Sequence, residues 1–316
     1  MTERDLEIHT EYTQEQISTN QRIQQVGWIG ITVIAIFLFG LGSGFFQRGQ
    51  SNLDALNIVA IQEQISPVGG YPLSVSYGDL GPRLLEGGVF SYEAFAAIYE
   101  NSGNPLTPEQ VEILKGGSDE EIVITEQNAH FLLNFFWAVG LANNNPILTS
   151  GPIVQHSEGQ VERFASTGGW SLATKPVSEV YASMNLVTLT TEQQKLVEEV
   201  AIGIYRPCCD NHTLFPDCNH GMAMLGILEL MASQGASADE MFEAAKYINA
   251  YWFPDQTLEI AIYLQMTENL DFASADARLV VGENFSSGSG AARVHQELQK
   301  QGILPQAPSQ GGSCSN

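Results

Sequence analysis

The longest apolar run lies near the N-terminus. From Val26 to Phe46 the chain reads VGWIGITVIAIFLFGLGSGFF without one charged residue. At about 1.5 Å of rise per helical residue, this run matches the roughly 30 Å hydrocarbon thickness of a bilayer. Trp28 stands near one end and Phe45 and Phe46 at the other, where aromatic rings suit an interface, and Arg22 and Arg48 flank the run. The pattern predicts a single transmembrane helix over residues 26–46. A cleaved leader fits less well, because the run is long, the polar residues before it are rich in acids and no A-x-A site follows. Arg4 and Arg22 before the run outnumber Arg48 after it, and the next cation is Arg83. That asymmetry favours an N-in, C-out orientation with the rest of the chain extracytoplasmic.

After the run the pattern becomes helical. Residues 1–25 form a polar tail and 47–70 a linker with a short helix around Leu53 to Gln64, ended by the Pro67–Gly70 turn. Asp79, Ser91 and Thr107 each precede a short periodic stretch that stops at glycine, and Thr107-Pro108-Glu109-Gln110 is a capping box. Ile122-Val123-Ile124 is strand-like but too short to imply a sheet. Thr125 is expected to cap a helix through Ala142 whose centre, AHFLLNFFWAVGLA, is apolar almost all round and therefore buried. Residues 146–178, rich in Gly, Ser, Thr and Pro, read as a long irregular stretch and a possible internal boundary.

From residue 190 the start signals strengthen. Thr190 opens a helix to about Tyr205, Asn219 one to Gln234, the Ser237 capping box one through Trp252, Asp255 one to about Glu268, and a last short helix runs from Val294 to Gln301. The expected fold is mostly α: the transmembrane helix, then an α-helical globular domain over 71–303, as a bundle or hairpin array with long irregular loops. Residues 304–316, LPQAPSQGGSCSN, read as a disordered tail.

Composition changes the picture through charge. The chain holds 36 Asp and Glu against 13 Lys and Arg, a formal net charge of −23. A field of that sign repels phosphate, so nucleic acid is excluded as a partner. The sequence has no P-loop, no dinucleotide fingerprint, no H-E-x-x-H and no C-x-x-C-H, so neither a nucleotide cofactor nor covalent c-type haem is expected.

One segment concentrates chemistry. Residues 205–224 read YRPCCDNHTLFPDCNHGMAM. Thiolate and imidazole are the usual donors for zinc, and thiolate with thioether suits copper(I). Cys209, His212, Cys218 and His220 make a candidate Cys₂His₂ site, with Cys208 as a substitute or fifth ligand. Weaker candidates are Asp210, Asp217, Met222, Met224, His130 on the apolar helix, and Cys314 on its Gly-Gly-Ser tether. The expected function is zinc or copper handling by a membrane-anchored, extracytoplasmic protein, with a metal donor or acceptor protein as partner. Two alternatives use the same cysteines: a disulfide-stapled interaction domain, or a thiol-redox protein. Met222, Met224 and Met231 also read as core filling beside Gly221, Ala223 and Gly226. His130 and Asn134, at i and i+4, read as a core polar pair. Glu229 sits in an apolar context where burial would raise its pKa.

Overall fold

The computed structural model describes residues 57–304. In chain order, α1 is Ile58–Ile65, β1 Tyr71–Gly78, α2 Leu80–Glu86, α3 Tyr92–Asn101, α4 Pro108–Lys115 and β2 Ser118–Ile124. Next come α5 Ala129–Ala142, α6 Pro146–Thr149, α7 Pro152–Ser157, α8 Ala165–Gly168 and α9 Thr191–Ala201. Last are α10 Asn219–Ser233, α11 Ala238–Trp252, α12 Pro254–Glu268, α13 Ala277–Val280, α14 Glu283–Ser286 and α15 Gly288–Lys300.

The single-pass, extracytoplasmic expectation is corrected here. Among the described residues no helix is long and apolar enough to cross a membrane. The longest have 15 residues, about 22 Å at helical rise and short of the bilayer's roughly 30 Å. The segment 26–46 that carried the expectation lies outside the described residues, as do residues 1–25 and 305–316 with Cys314. What stands is a mostly helical chain.

The molecule is organised on the crossing of α5 and α10. Every residue of α5 except His130 is buried, as its all-round apolarity demands. The two backbones touch at a pair of glycines: a Cβ on Gly226 would fall 2.7 Å from the Phe136 carbonyl oxygen and 2.8 Å from the Gly140 nitrogen. Met222, Met224 and Met231 fill the core around this crossing.

Four expected caps form. Ser91, Thr107, Thr190 and Ser237 each accept a backbone N–H three residues on, the last three as complete capping boxes. Elsewhere the ends move. Thr125 and Asn128 bond each other's backbone N–H, so the turn closes first and α5 begins at Ala129. Asp79 makes no capping bond and pairs with Arg83 at 3.5 Å instead. Phe253, not Asp255, occupies the N-cap of α12, with Pro254 at the first helical position.

The sequence reading missed the sheet. β1 and β2 pair antiparallel, with Tyr71 opposite Ile124 and Gly78 opposite Ser118 and irregular register between. Leu73, Val75 and Tyr77 alternate inward on β1. Gln234, capping the end of α10, bonds both the N–H and the carbonyl of Ser76 and so ties the sheet to the central helix. Residues 146–178 contain short helical turns whose Ile147, Leu148, Ile153 and Trp170 enter the same core as α5 and α10.

A second core lies beyond α11, between α1, α12 and α15, and includes Ile61, Ile65, Ile260, Leu264, Val294 and Leu298. Part of the expected linker is therefore core. Helix α11 serves both cores: Met241, Ala245 and Ile248 face the first, Tyr247 and Ala250 the second. Its Lys246 is fully buried, with Nζ donating to the carbonyls of Phe272, Ala273 and Ala275 and 2.8 Å from Glu243.

Candidate metal centre

The cysteine segment is held by three helix ends. After α9, the chain is bridged at Tyr205 to His212 and at Ile204 to Thr213, so residues 206–211 form a closed loop. Cys218, the N-cap of α10, accepts the Gly221 N–H at its sulfur, 3.4 Å away. The N-terminus of α15 clamps the other side: Gly288 N–H donates to the Cys209 carbonyl at 2.8 Å and Ser289 N–H to the Asp210 carboxylate at 2.7 Å. The first turns of two helices thus face the loop, and their unpaired N–H groups and dipoles favour negative charge there.

Three sulfurs gather. Cys208 Sγ lies 3.6 Å from Cys218 Sγ and 4.0 Å from Cys209 Sγ, and all three fall within 4.8 Å of one another. Cys208 is exposed, and Cys209 and Cys218 are half-buried. No other His, Cys, Asp or Glu joins them, and the described residues hold no second such group.

Beneath the sulfurs lies Arg206, fully buried. Its Nη2 donates to Cys209 Sγ at 3.3 Å, to Cys218 Sγ at 3.4 Å and to Asp217 Oδ1 at 3.3 Å. The guanidinium rests on the first turn of α10 because position 221 is glycine: a Cβ there would fall 2.6 Å from Nη2. Burial opposes the Arg206 charge, but the three sulfurs beside it, Cys218 foremost, outweigh burial and raise its pKa. The Cys218 thiol is pushed well down, first by the thiols of Cys208 and Cys209 and then by Arg206. Cys208 is pushed up by its hydrogen bonds to Cys209 and Cys218 and then by burial. Asp217 is raised by its burial and then by Cys218.

The remaining candidates are placed elsewhere. No histidine nitrogen lies within 4.8 Å of all three sulfurs, so the structure does not assemble a Cys₂His₂ set. The His212 ring stands edge-on to Tyr205, and its buried Nδ1 has no hydrogen-bond partner. His220 sits between Trp252 and Phe253 on the first turn of α10, and burial lowers its pKa to about 4. Asp210 is taken by the α15 terminus, and Asp217 by Arg206 and Asn211. Met222 and Met224 are core. His130 bonds Asn134, which also donates to the Tyr99 hydroxyl, as the i, i+4 reading implied.

Two residues that matter here are not among the candidates the sequence offers for the site. Arg206 is the lone cation between Lys195 and Lys246 and directly precedes Pro207-Cys208-Cys209, which is a legible signal. Gly221 was read only as a packing residue, and its fit against a guanidinium depends on folding. Comparison with known proteins adds no relative: no family model matches the chain, and no curated protein or solved structure is significantly similar to it.

Proposed function

We propose that Cys208, Cys209 and Cys218 bind one soft metal ion, and that the protein handles such an ion rather than being built around it. The observation that carries this is the sulfur spacing. With metal–sulfur bonds of about 2.3 Å, tetrahedral coordination sets sulfurs about 3.8 Å apart and trigonal coordination about 4.0 Å. The separations of 3.6 and 4.0 Å bracket those values. Chance proximity on a surface does not ordinarily place a buried guanidinium behind two of the sulfurs.

Three thiolates without imidazole favour copper(I) over zinc, since thiolate is the soft donor and no fourth ligand is supplied. Arg206 offsets one of the three negative charges, and the two helix N-termini reduce the rest. The exposure of Cys208 leaves one side of the centre open, which suits capture and handover by thiol exchange with a partner's ligands. A structural site would be closed.

Metal analysis of the full-length protein tests this. One equivalent of bound ion is expected, with copper(I) held more tightly than zinc in competition against a chelator. Replacing all three cysteines by serine should abolish binding, while His212→Ala and His220→Ala keep the stoichiometry. Unchanged metal content in the triple serine variant ends the proposal, and a preference for zinc ends the copper assignment alone.

A further inference from the structure

The three sulfurs contain one pair placed to bond to each other. Cys208 and Cys218 come from positions 10 apart in the chain, yet their sulfurs stand 3.6 Å apart. The other pairings are worse. Cys208 and Cys209 are consecutive, so their Cα atoms are about 3.8 Å apart, below the roughly 4.4–6.8 Å that an unstrained disulfide spans. Joining Cys209 to Cys218 would consume both sulfurs that Arg206 holds and leave the buried guanidinium with Asp217 and Thr213. Joining Cys208 to Cys218 leaves Arg206 with Cys209 and Asp217. Cys208 is also the exposed member, within reach of a small reagent.

We infer that the centre is redox-gated: a small-molecule disulfide converts Cys208 and Cys218 into a disulfide and so expels the ion. The ion-expelling half rests on the metal reading above, whereas the bond itself does not. Cys208, the exposed thiol, gives its proton to solvent as its sulfur attacks one sulfur of the reagent, whose S–S bond breaks; one thiolate leaves and a mixed disulfide remains on Cys208. The Cys218 thiolate then attacks the Cys208 sulfur, the mixed bond breaks, and the second reagent thiolate leaves. The protein pair loses two electrons, the reagent gains them, and its two thiolates take up the two protons given up by the cysteines. Two of the three ligands are then covalently occupied. Cys209 alone cannot retain a soft ion against competing thiols.

The test uses the full-length chain carrying Cys314→Ser, incubated with oxidised glutathione and then separated from it. Free thiols should fall from three to one, and peptide mapping should find the Cys208–Cys218 bond. Copper(I) affinity should drop by more than about 100-fold, beyond what loss of an outer-shell partner costs, and a dithiol reductant should restore it. Cys209→Ser should still form the bond, whereas Cys208→Ser should keep its remaining thiols reduced in the same buffer. If the bond forms elsewhere or not at all, or forms without weakening copper, the gate is overturned and the metal reading survives. If the reduced chain takes up no ion, the metal reading falls and the gate with it, while the peptide map still reports the bond.

Discussion

Arg206 and Glu229 are the two buried charges or near-charges whose surroundings differ most. Arg206 has four acceptors around its two Nη atoms, which offset its burial, while its Nε has no partner. Replacing it by Met should weaken copper(I) binding by roughly 10- to 100-fold, the range for loss of an outer-shell partner, measured by chelator competition. Gly221→Ala should act in the same direction by displacing the guanidinium, so both variants are read against unchanged metal-free folding by circular dichroism. Glu229, fully buried on α10, accepts one bond from Asn143 at 2.9 Å and leaves Oε1 unpartnered. Burial raises its pKa from 4.5 to about 8, with Asn143 and Asn145 opposing. The folded state therefore holds a proton that the unfolded chain has released, and stability falls as pH rises from about 4.5 to about 8. Glu229→Gln should remove that fall, so its Tm at pH 8 should exceed that of the parent while the two converge near pH 5. The raised pKa was legible from the run GILELMAS; the partner, 86 residues away, was not.

Helix α5 and helix α10 show what small residues do at a crossing. With a Cβ on Gly226 meeting the Phe136 carbonyl and the Gly140 nitrogen, Gly226→Ala forces the two backbones apart. Overpacking of this kind costs about 1–3 kcal/mol or more, to be read as a lower midpoint in urea denaturation. Gly235→Ala, in open space at the far end of α10, separates crowding from backbone strain because it carries only the positive φ. Helix starts were the most legible elements, since capping is a local exchange between a side chain and an N–H three residues on. The strands were not. β1 alternates in YPLSVSYG, but half of β2 is the acidic SDEE, and the pair makes sense only against α10 and Gln234. The cysteine loop behaves likewise: its donors were legible as a cluster, but which of them converge is decided by three helix ends and a buried arginine distant from any spacing rule.

At the scale of the whole molecule, two cores share α11, and the segment that starts the described chain seals the second. Ile65→Ala should cost about 2–5 kcal/mol as a buried large-to-small change, and its effect should appear in the second core before the first. Hydrogen exchange would show faster opening of α12 and α15 than of α5 and α10. The apolar run 26–46 was the strongest pattern in the chain, yet no described helix bears on it. Among the described residues the fold rests on helices of at most 15 residues buried against one another.

Lys246 has a practical consequence. Lys115, Lys195 and Lys300 are exposed, but the Lys246 amine is wrapped by three carbonyls and Glu243 between the two cores. An acylating reagent added to native protein should modify the exposed amines at once and Lys246 only when α11 parts from the 272–275 turn. The time course of that single acetylation, followed by peptide mass, would serve as a built-in clock for how often the two halves of the molecule separate.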